Sequence, residues 1–162
     1  MKQTRSRKLL SLLGLLLLNL GLSAQTLQII DTEGHSTTVT GAQLAKAQRV
    51  TVNVRDHDTP AKFEGVPLAA VLASAGIALG DKLRGPRLAE ALLAEARDGY
   101  GVVFALAELD SAFATREIIL ADARDGKPLD AKEGPFRIVV PGDKRAARWI
   151  RQVSSIKIVA VK

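Results

Sequence analysis

After position 25, hydrophobic and polar residues alternate along much of the chain, and the period lengthens only in short stretches. Leu27–Ile30 reads as a short apolar strand, Glu33-Gly34 as a turn and Ser36–Val39 as the returning strand, so a β-hairpin opens the domain. Thr40 can cap a short helix running through Gly41–Ala47. Within Arg49–Val54, Val50, Val52 and Val54 share one face, the pattern of a half-buried strand. The period then changes. Leu68, Val71, Leu72 and Ala75 fall at i, i+3, i+4 and i+7, which predicts a helix over Pro67–Ala75 with one apolar stripe. Pro67 suits the first helical position, where a missing N–H costs nothing, and Gly76 supplies the left-handed residue that ends such a helix.

Two signals compete between Leu88 and Ala96. The Ala, Leu and Glu content favours helix, whereas Asp98-Gly99 before Tyr100–Phe104 marks a hairpin that needs a strand on its near side. The expectation is a short helix to about Ala91 and a strand through Ala96. Beyond it, Leu106–Leu109 reads as a helical turn, Ile118–Ala121 as a buried strand and Asp125-Gly126-Lys127-Pro128 as a turn. Phe136–Val140 is a strand stopped by Pro141-Gly142, Arg145–Ile150 a helical turn, and Ser155–Val161 a closing strand. Many strands with few, short helices predict an α+β domain built on a mixed β-sheet. No glycine-rich strand–helix phosphate loop is present, which excludes a Rossmann arrangement.

The first 24 residues follow another logic. Lys2, Arg5, Arg7 and Lys8 form a basic head, an apolar run follows from Leu9 to Leu22, and Leu22-Ser23-Ala24 offers the small residue a signal peptidase needs. Residues 1–24 therefore read as a cleavable signal peptide and 25–162 as a single domain in the periplasm or outside the cell. The apolar run is shorter than a membrane span wants, so no stable span is expected after cleavage. The leader also changes the charge picture. The whole chain carries 23 basic and 17 acidic side chains; without the four leader cations it carries 19 and 17, a net charge of +2. Nucleic-acid binding has no support from such a balance. The absence of cysteine excludes disulfides, thiolate catalysis and thiolate–metal bonds, and two histidines are too few for an all-histidine metal centre.

Landmarks recur in a definite order from Val50 onward. They are Phe63-Glu64-Gly65-Val66-Pro67-Leu68, Val71-Leu72, Gly76, Ala96-Arg97-Asp98-Gly99-Tyr100 and Val103-Phe104-Ala105-Leu106-Ala107-Glu108-Leu109. Ile119-Leu120-Ala121, Asp125-Gly126-Lys127-Pro128-Leu129, Gly134-Pro135-Phe136-Arg137-Ile138-Val139-Val140-Pro141 and Trp149-Ile150 complete the series. In order and spacing this resembles the sulfite-oxidase-type, molybdopterin-binding oxidoreductase domain. The resemblance implies a sulfite-oxidase catalytic-domain-like fold, with molybdenum held by a pterin dithiolene and one protein cysteine just after a strand like Arg49–Val54. Arg55 or Asp56 stands at that place. Arginine is a permanent cation and aspartate a hard oxygen donor, so neither replaces a thiolate. The segment Pro141-Gly142-Asp143-Lys144-Arg145-Ala146-Ala147-Arg148-Trp149 is shorter than the family's pterin-binding segment and lacks its internal glycine. Arg5 and Arg7 are separated by Ser6, so the leader resembles the general secretion type rather than a twin-arginine signal, which carries folded, cofactor-loaded proteins. The expectation is no metal site and no bound cofactor, with molybdopterin as the one candidate the resemblance leaves.

The candidate ligand-binding residues are Arg55, His57, Tyr100, Lys144, Arg145 and Arg148. Arg55-Asp56-His57-Asp58 reads either as a polar pocket, with Arg55 gripping an anion and His57 titrating near neutrality, or as a solvated loop. Lys144, Arg145, Arg148 and Arg151 are the densest basic group after the leader. If Arg145–Gln152 is helical, Lys144, Arg148 and Arg151 share a face that either binds a phosphate or carboxylate or simply meets water. Trp149 reads as core, and the Tyr100 hydroxyl as the rim of a pocket. Asp122 and Asp125 read as turn chemistry. No Gly-x-Ser-x-Gly elbow occurs and neither histidine has a recognisable partner.

The favoured functional reading is a binding module for a small anionic or pterin-like ligand, or for a periplasmic protein. The alternatives are an active molybdopterin-dependent oxidoreductase without a protein thiolate, and a structural member of a signalling or redox complex. The leader makes the first prediction: protein recovered from outside the cytoplasm has an intact mass beginning at Gln25, and a full-length soluble cytoplasmic species would refute the cleavage.

Overall fold

The opening hairpin pairs β1 (Thr26–Ile30) antiparallel with β2 (Ser36–Thr40). The computed structural model describes residues 25–161, so the leader reading at 1–24 lies outside the described residues. Thr40 caps α1 (Gly41–Lys46) as expected, its hydroxyl accepting the Gln43 N–H at 3.2 Å while Gln43 Oε1 accepts the Thr40 N–H at 2.8 Å. A second hairpin, β3 (Val50–Asp56) and β4 (Thr59–Pro67), leads into α2 (Leu68–Ser74). Next come β5 (Glu90–Ala96), β6 (Gly101–Ala105), α3 (Leu106–Leu109), β7 (Ile119–Arg124), β8 (Lys127–Pro128), β9 (Arg137–Val139) and β10 (Val153–Ala160).

These strands form two sheets. One runs β2-β1-β10-β5-β6, with β1 and β10 parallel and the other pairs antiparallel; the other runs β3-β4-β7, with β8 and β9 sharing the far edge of β7. Leu27, Ile29, Leu92, Phe104, Ile156 and Ile158 from the first sheet and Phe63, Val66, Leu120 and Ile138 from the second enter one apolar core. Leu68, Val71 and Leu72, the predicted helix stripe, are buried in it as well. This is the mixed-sheet α+β domain the alternation implies.

Four local expectations need correction. Pro67 ends β4 and precedes α2 instead of opening the helix. The stretch before β5 makes only a 3-10 turn over Gly85–Ala89, because Glu90 and Ala91 are already paired in the sheet. No helix spans Arg145–Gln152; a single 3-10 turn covers Ala146–Arg148, and Gln152 has a positive φ of 52°. The largest difference is β4 itself, a strand that the alternation does not announce.

Breaker residues hid that strand. Pro60 and Pro67 stand near its ends and Gly65 within it, a pattern that argues against a strand interior. The reason for Gly65 lies in β7. A Cβ there would sit 2.2 Å from the Leu120 carbonyl oxygen and 2.6 Å from Ala121 Cα, where the β4–β7 register shifts. Backbone meets backbone, so no side chain can yield. Gly65→Ala is therefore expected to lower stability by about 3 kcal/mol, the upper range for overpacking, as read from urea unfolding; an unchanged midpoint would refute the close approach.

Candidate functional site

The β3–β4 hairpin shapes the first polar region. Asp56 pairs with Thr59 across the hairpin, and His57 and Asp58 have φ of 48° and 67°, as a two-residue type I′ turn requires. The polar run Arg55–Asp58 is thus a strand end and a tight turn, not a loop. Arg55 points to the exposed face, where its Nη2 donates to the Asp58 carbonyl at 2.6 Å. His57 is also exposed; its Nε2 lies 3.8 Å from Asp56 Oδ1.

The strand period sends Asp56 the other way, into the protein, where only 5% of it is exposed. Asp56 Oδ2 accepts from Arg137 Nη1 at 3.0 Å and from Arg124 Nη1 at 3.2 Å, and Oδ1 accepts from Arg137 Nη2 at 3.2 Å. Glu133 Oε1 accepts from Arg124 Nη1 at 3.1 Å and also from Arg137 Nη1. Two guanidiniums and two carboxylates make a neutral quartet. Its apolar walls are aromatic: the Arg137 guanidinium carbon lies 4.9 Å from the Phe63 ring centre and 5.7 Å from that of Trp149. Phe63 and Trp149 meet edge-to-face at 6.3 Å. Arg137 therefore stands between the hairpin and Trp149, which is core as expected. Two donors there, Arg137 Nε and Trp149 Nε1, are buried without a hydrogen-bond partner.

The second polar region lies around the segment before Trp149. Arg148 donates from Nε and Nη2 to the two oxygens of Asp143, both at 2.9 Å, and from Nη1 to Glu108 Oε2 at 3.1 Å. Arg116 Nη1 donates to Asp143 Oδ1 at 3.0 Å. The hydrogen bonds from Asp143, reinforced by Glu108, hold the Arg148 guanidinium even more firmly charged than usual. Tyr100, about half exposed, donates its hydroxyl to the Ala147 carbonyl at 2.9 Å. Lys144 and Arg145 are exposed, and among the described residues neither makes an ion pair.

The structure thus joins Tyr100, through its hydrogen bond to the Ala147 carbonyl, to the segment that carries Lys144, Arg145 and Arg148. Among the described residues, no hydrogen bond or ion pair joins Arg55 or His57 to that segment. Lys144, Arg148 and Arg151 do not share a helical face, because the helix is not there. Asp122 and Asp125 do more than turn chemistry: Asp122 forms a two-point ion pair with Arg49, and Asp125 Oδ1 accepts the Lys62 N–H at 2.9 Å. The sequence reading missed the quartet. One signal pointed to it: Arg137 lies inside the apolar run Phe136–Val140, and a buried arginine requires acidic partners.

Fold and site together place the molecule among α+β domains of the sulfite-oxidase type. The chain belongs to the oxidoreductase molybdopterin binding domain family, whose model matches residues 42–162. Its fold is similar to that in the crystal structure of the sulfane dehydrogenase SoxCD from Paracoccus pantotrophus, with a TM-score of 0.64 and 20% sequence identity over 83% of this chain. The match spans 38% of the SoxCD chain. No curated protein matches the sequence.

Family membership raises molybdopterin, and the residues present do not fit its metal. The chain has no cysteine, Arg55 faces outward as a permanent cation, and both oxygens of Asp56 are engaged by guanidiniums. Among the described residues, no group of three or more histidines, aspartates or glutamates is arranged to hold a metal ion. The quartet leads to a stability prediction. Arg137→Ala leaves buried Asp56 and part-buried Glu133 to share Arg124 alone and is expected to cost about 3–5 kcal/mol, whereas exposed Arg151→Ala is expected to change stability by about 0.5 kcal/mol or less. Urea unfolding of both variants compares them directly; equal effects would show that the quartet carries no special weight.

Proposed function

We propose that this chain is an exported member of the family that works without molybdenum catalysis, as a binding module for a small anionic ligand. The observation that carries this reading is the state of positions 55 and 56, the two candidates for a metal-ligating thiolate by family resemblance: Arg55 is an exposed cation, and the Asp56 carboxylate is spent on Arg137 and Arg124. The basic segment supplies the binding side. Arg148 clamps Asp143 and Glu108, and the Tyr100 hydroxyl holds the Ala147 carbonyl, so the segment is fixed from two directions. Lys144 and Arg145 are left as exposed cations, able to meet a phosphorylated, carboxylated or pterin-like molecule with charge-assisted hydrogen bonds.

Export rests on the basic head and apolar run of the leader and puts the module in the periplasm or outside the cell. Among the described residues, no helix is long and apolar enough to cross a membrane. A periplasmic protein partner is the second reading, favoured by exposed Tyr100 and Val103 at the uncharged edge strand β6.

Two measurements test the proposal. Elemental analysis of protein made in a host competent for molybdenum-cofactor synthesis is expected to find molybdenum well below one atom per chain; near-stoichiometric metal would restore the oxidoreductase reading. Calorimetry against a panel of phosphorylated and carboxylated small molecules is expected to find a ligand that the double variant Lys144→Ala/Arg145→Ala binds about 1.5–3 kcal/mol more weakly, the scale of hydrogen bonds to charged groups. Equal binding by the parent and the double variant would remove that segment as the site. Failure of the whole panel would put the protein partner first.

A further inference from the structure

The lack of a thiol is the obvious reason for this chain to hold no molybdenum, and the geometry around Asp56 supplies a second, independent one. Strand alternation sends positions 55 and 56 to opposite faces of the second sheet. A side chain at 55 emerges into an open depression lined by Asn53, Lys62 and Asp125. One at 56 emerges into the core, against two guanidiniums. Between position 56 and Trp149 stands Arg137, stacked on Phe63 and Trp149. The space between Asp56 and Trp149 is therefore filled by a charged side chain with aromatic walls.

We infer that the Asp56–Arg124–Glu133–Arg137 quartet is an internal lock that excludes a metal centre from this fold, so that restoring a cysteine at position 55 or 56 does not restore metal binding. The inference rests on the reading of the chain as a module without molybdenum catalysis and goes a step beyond it. A thiol at 55 faces the open depression, away from Arg137 and Trp149. A thiol at 56 faces the Arg124 and Arg137 guanidiniums, with Arg137 packed against Phe63 beyond it, so no open space lies in front of its sulfur. The hairpin is set by the same contacts: its turn has no glycine, and the inward pull on Asp56 opposes any slip that would open it.

The test uses the parent, Arg55→Cys and Asp56→Cys, each made in a host competent for molybdenum-cofactor synthesis and measured for molybdenum content and melting temperature. All three are expected to carry molybdenum well below one atom per chain. Arg55→Cys should melt close to the parent, whereas Asp56→Cys should melt about 10 °C lower, as loss of one partner from a buried ion cluster implies. Near-stoichiometric molybdenum in either cysteine variant, with the parent empty, overturns the lock and leaves the binding-module reading standing. Molybdenum in the parent overturns that reading itself. An unchanged melting temperature for a folded Asp56→Cys also overturns the lock. Should Asp56→Cys fail to fold, Arg55→Cys carries the metal test alone, because Arg55 is exposed and outside the quartet.

Discussion

The two-point bond between Asp56 and Arg137 is the constraint on which the second sheet depends. It ties the end of β3 to β9, while Arg124 from β7 and Glu133 from the preceding loop complete the charge balance. Taking Asp56 and Arg137 out of water costs several kcal/mol per ion, and the mutual attraction roughly offsets it only if the part-buried partners Arg124 and Glu133 are present. An apolar cluster of similar shape would hold the sheets together as well. What the ions add is direction: a one-residue slip of β3 would turn Asp56 to solvent and Arg55 inward, leaving Arg137 and Arg124 with Glu133 alone and a third cation beside them. The quartet thus selects one register from those that the repeated valines of β3 would accept.

Charge on the opposite side of Trp149 is organised differently. Arg148 and Arg116 are balanced by Asp143 and Glu108, a cluster that is part-exposed and bordered by Phe104. Its members are therefore spent on shaping the segment, whereas Lys144 and Arg145 are exposed and make no ion pair among the described residues. Arginines close together in sequence end in different roles, according to which carboxylates the fold places within reach.

Family membership and the SoxCD likeness account for the architecture: two sheets around one core, short helices, and a hairpin leading into α2. At 20% identity the likeness concerns the fold. A fold does not carry its chemistry with it; chemistry lives in particular side chains at particular places. At the end of β3 stand an arginine facing water and an aspartate bound by two guanidiniums.

Much of this protein was legible in the amino-acid order alone. The opening hairpin, the Thr40 cap, the apolar stripe of α2 and the closing strand are signals of short range, written in side-chain period and turn chemistry. The absence of a thiolate and the family landmarks needed no coordinates either. Strand β4 was hidden because Gly65 makes sense only against the backbone of β7, more than fifty residues away in sequence. The quartet was hidden for the same reason, since Asp56 and Arg137 are 81 residues apart. Lys144, Arg145 and Arg148 look alike in sequence, and only the approach of Glu108 and the position of Asp143 separate the clamped arginine from the free cations. Local pattern determined which elements form. Which charges are neutralised depended on long-range pairing, because an ion's role is set by the partners that burial leaves beside it.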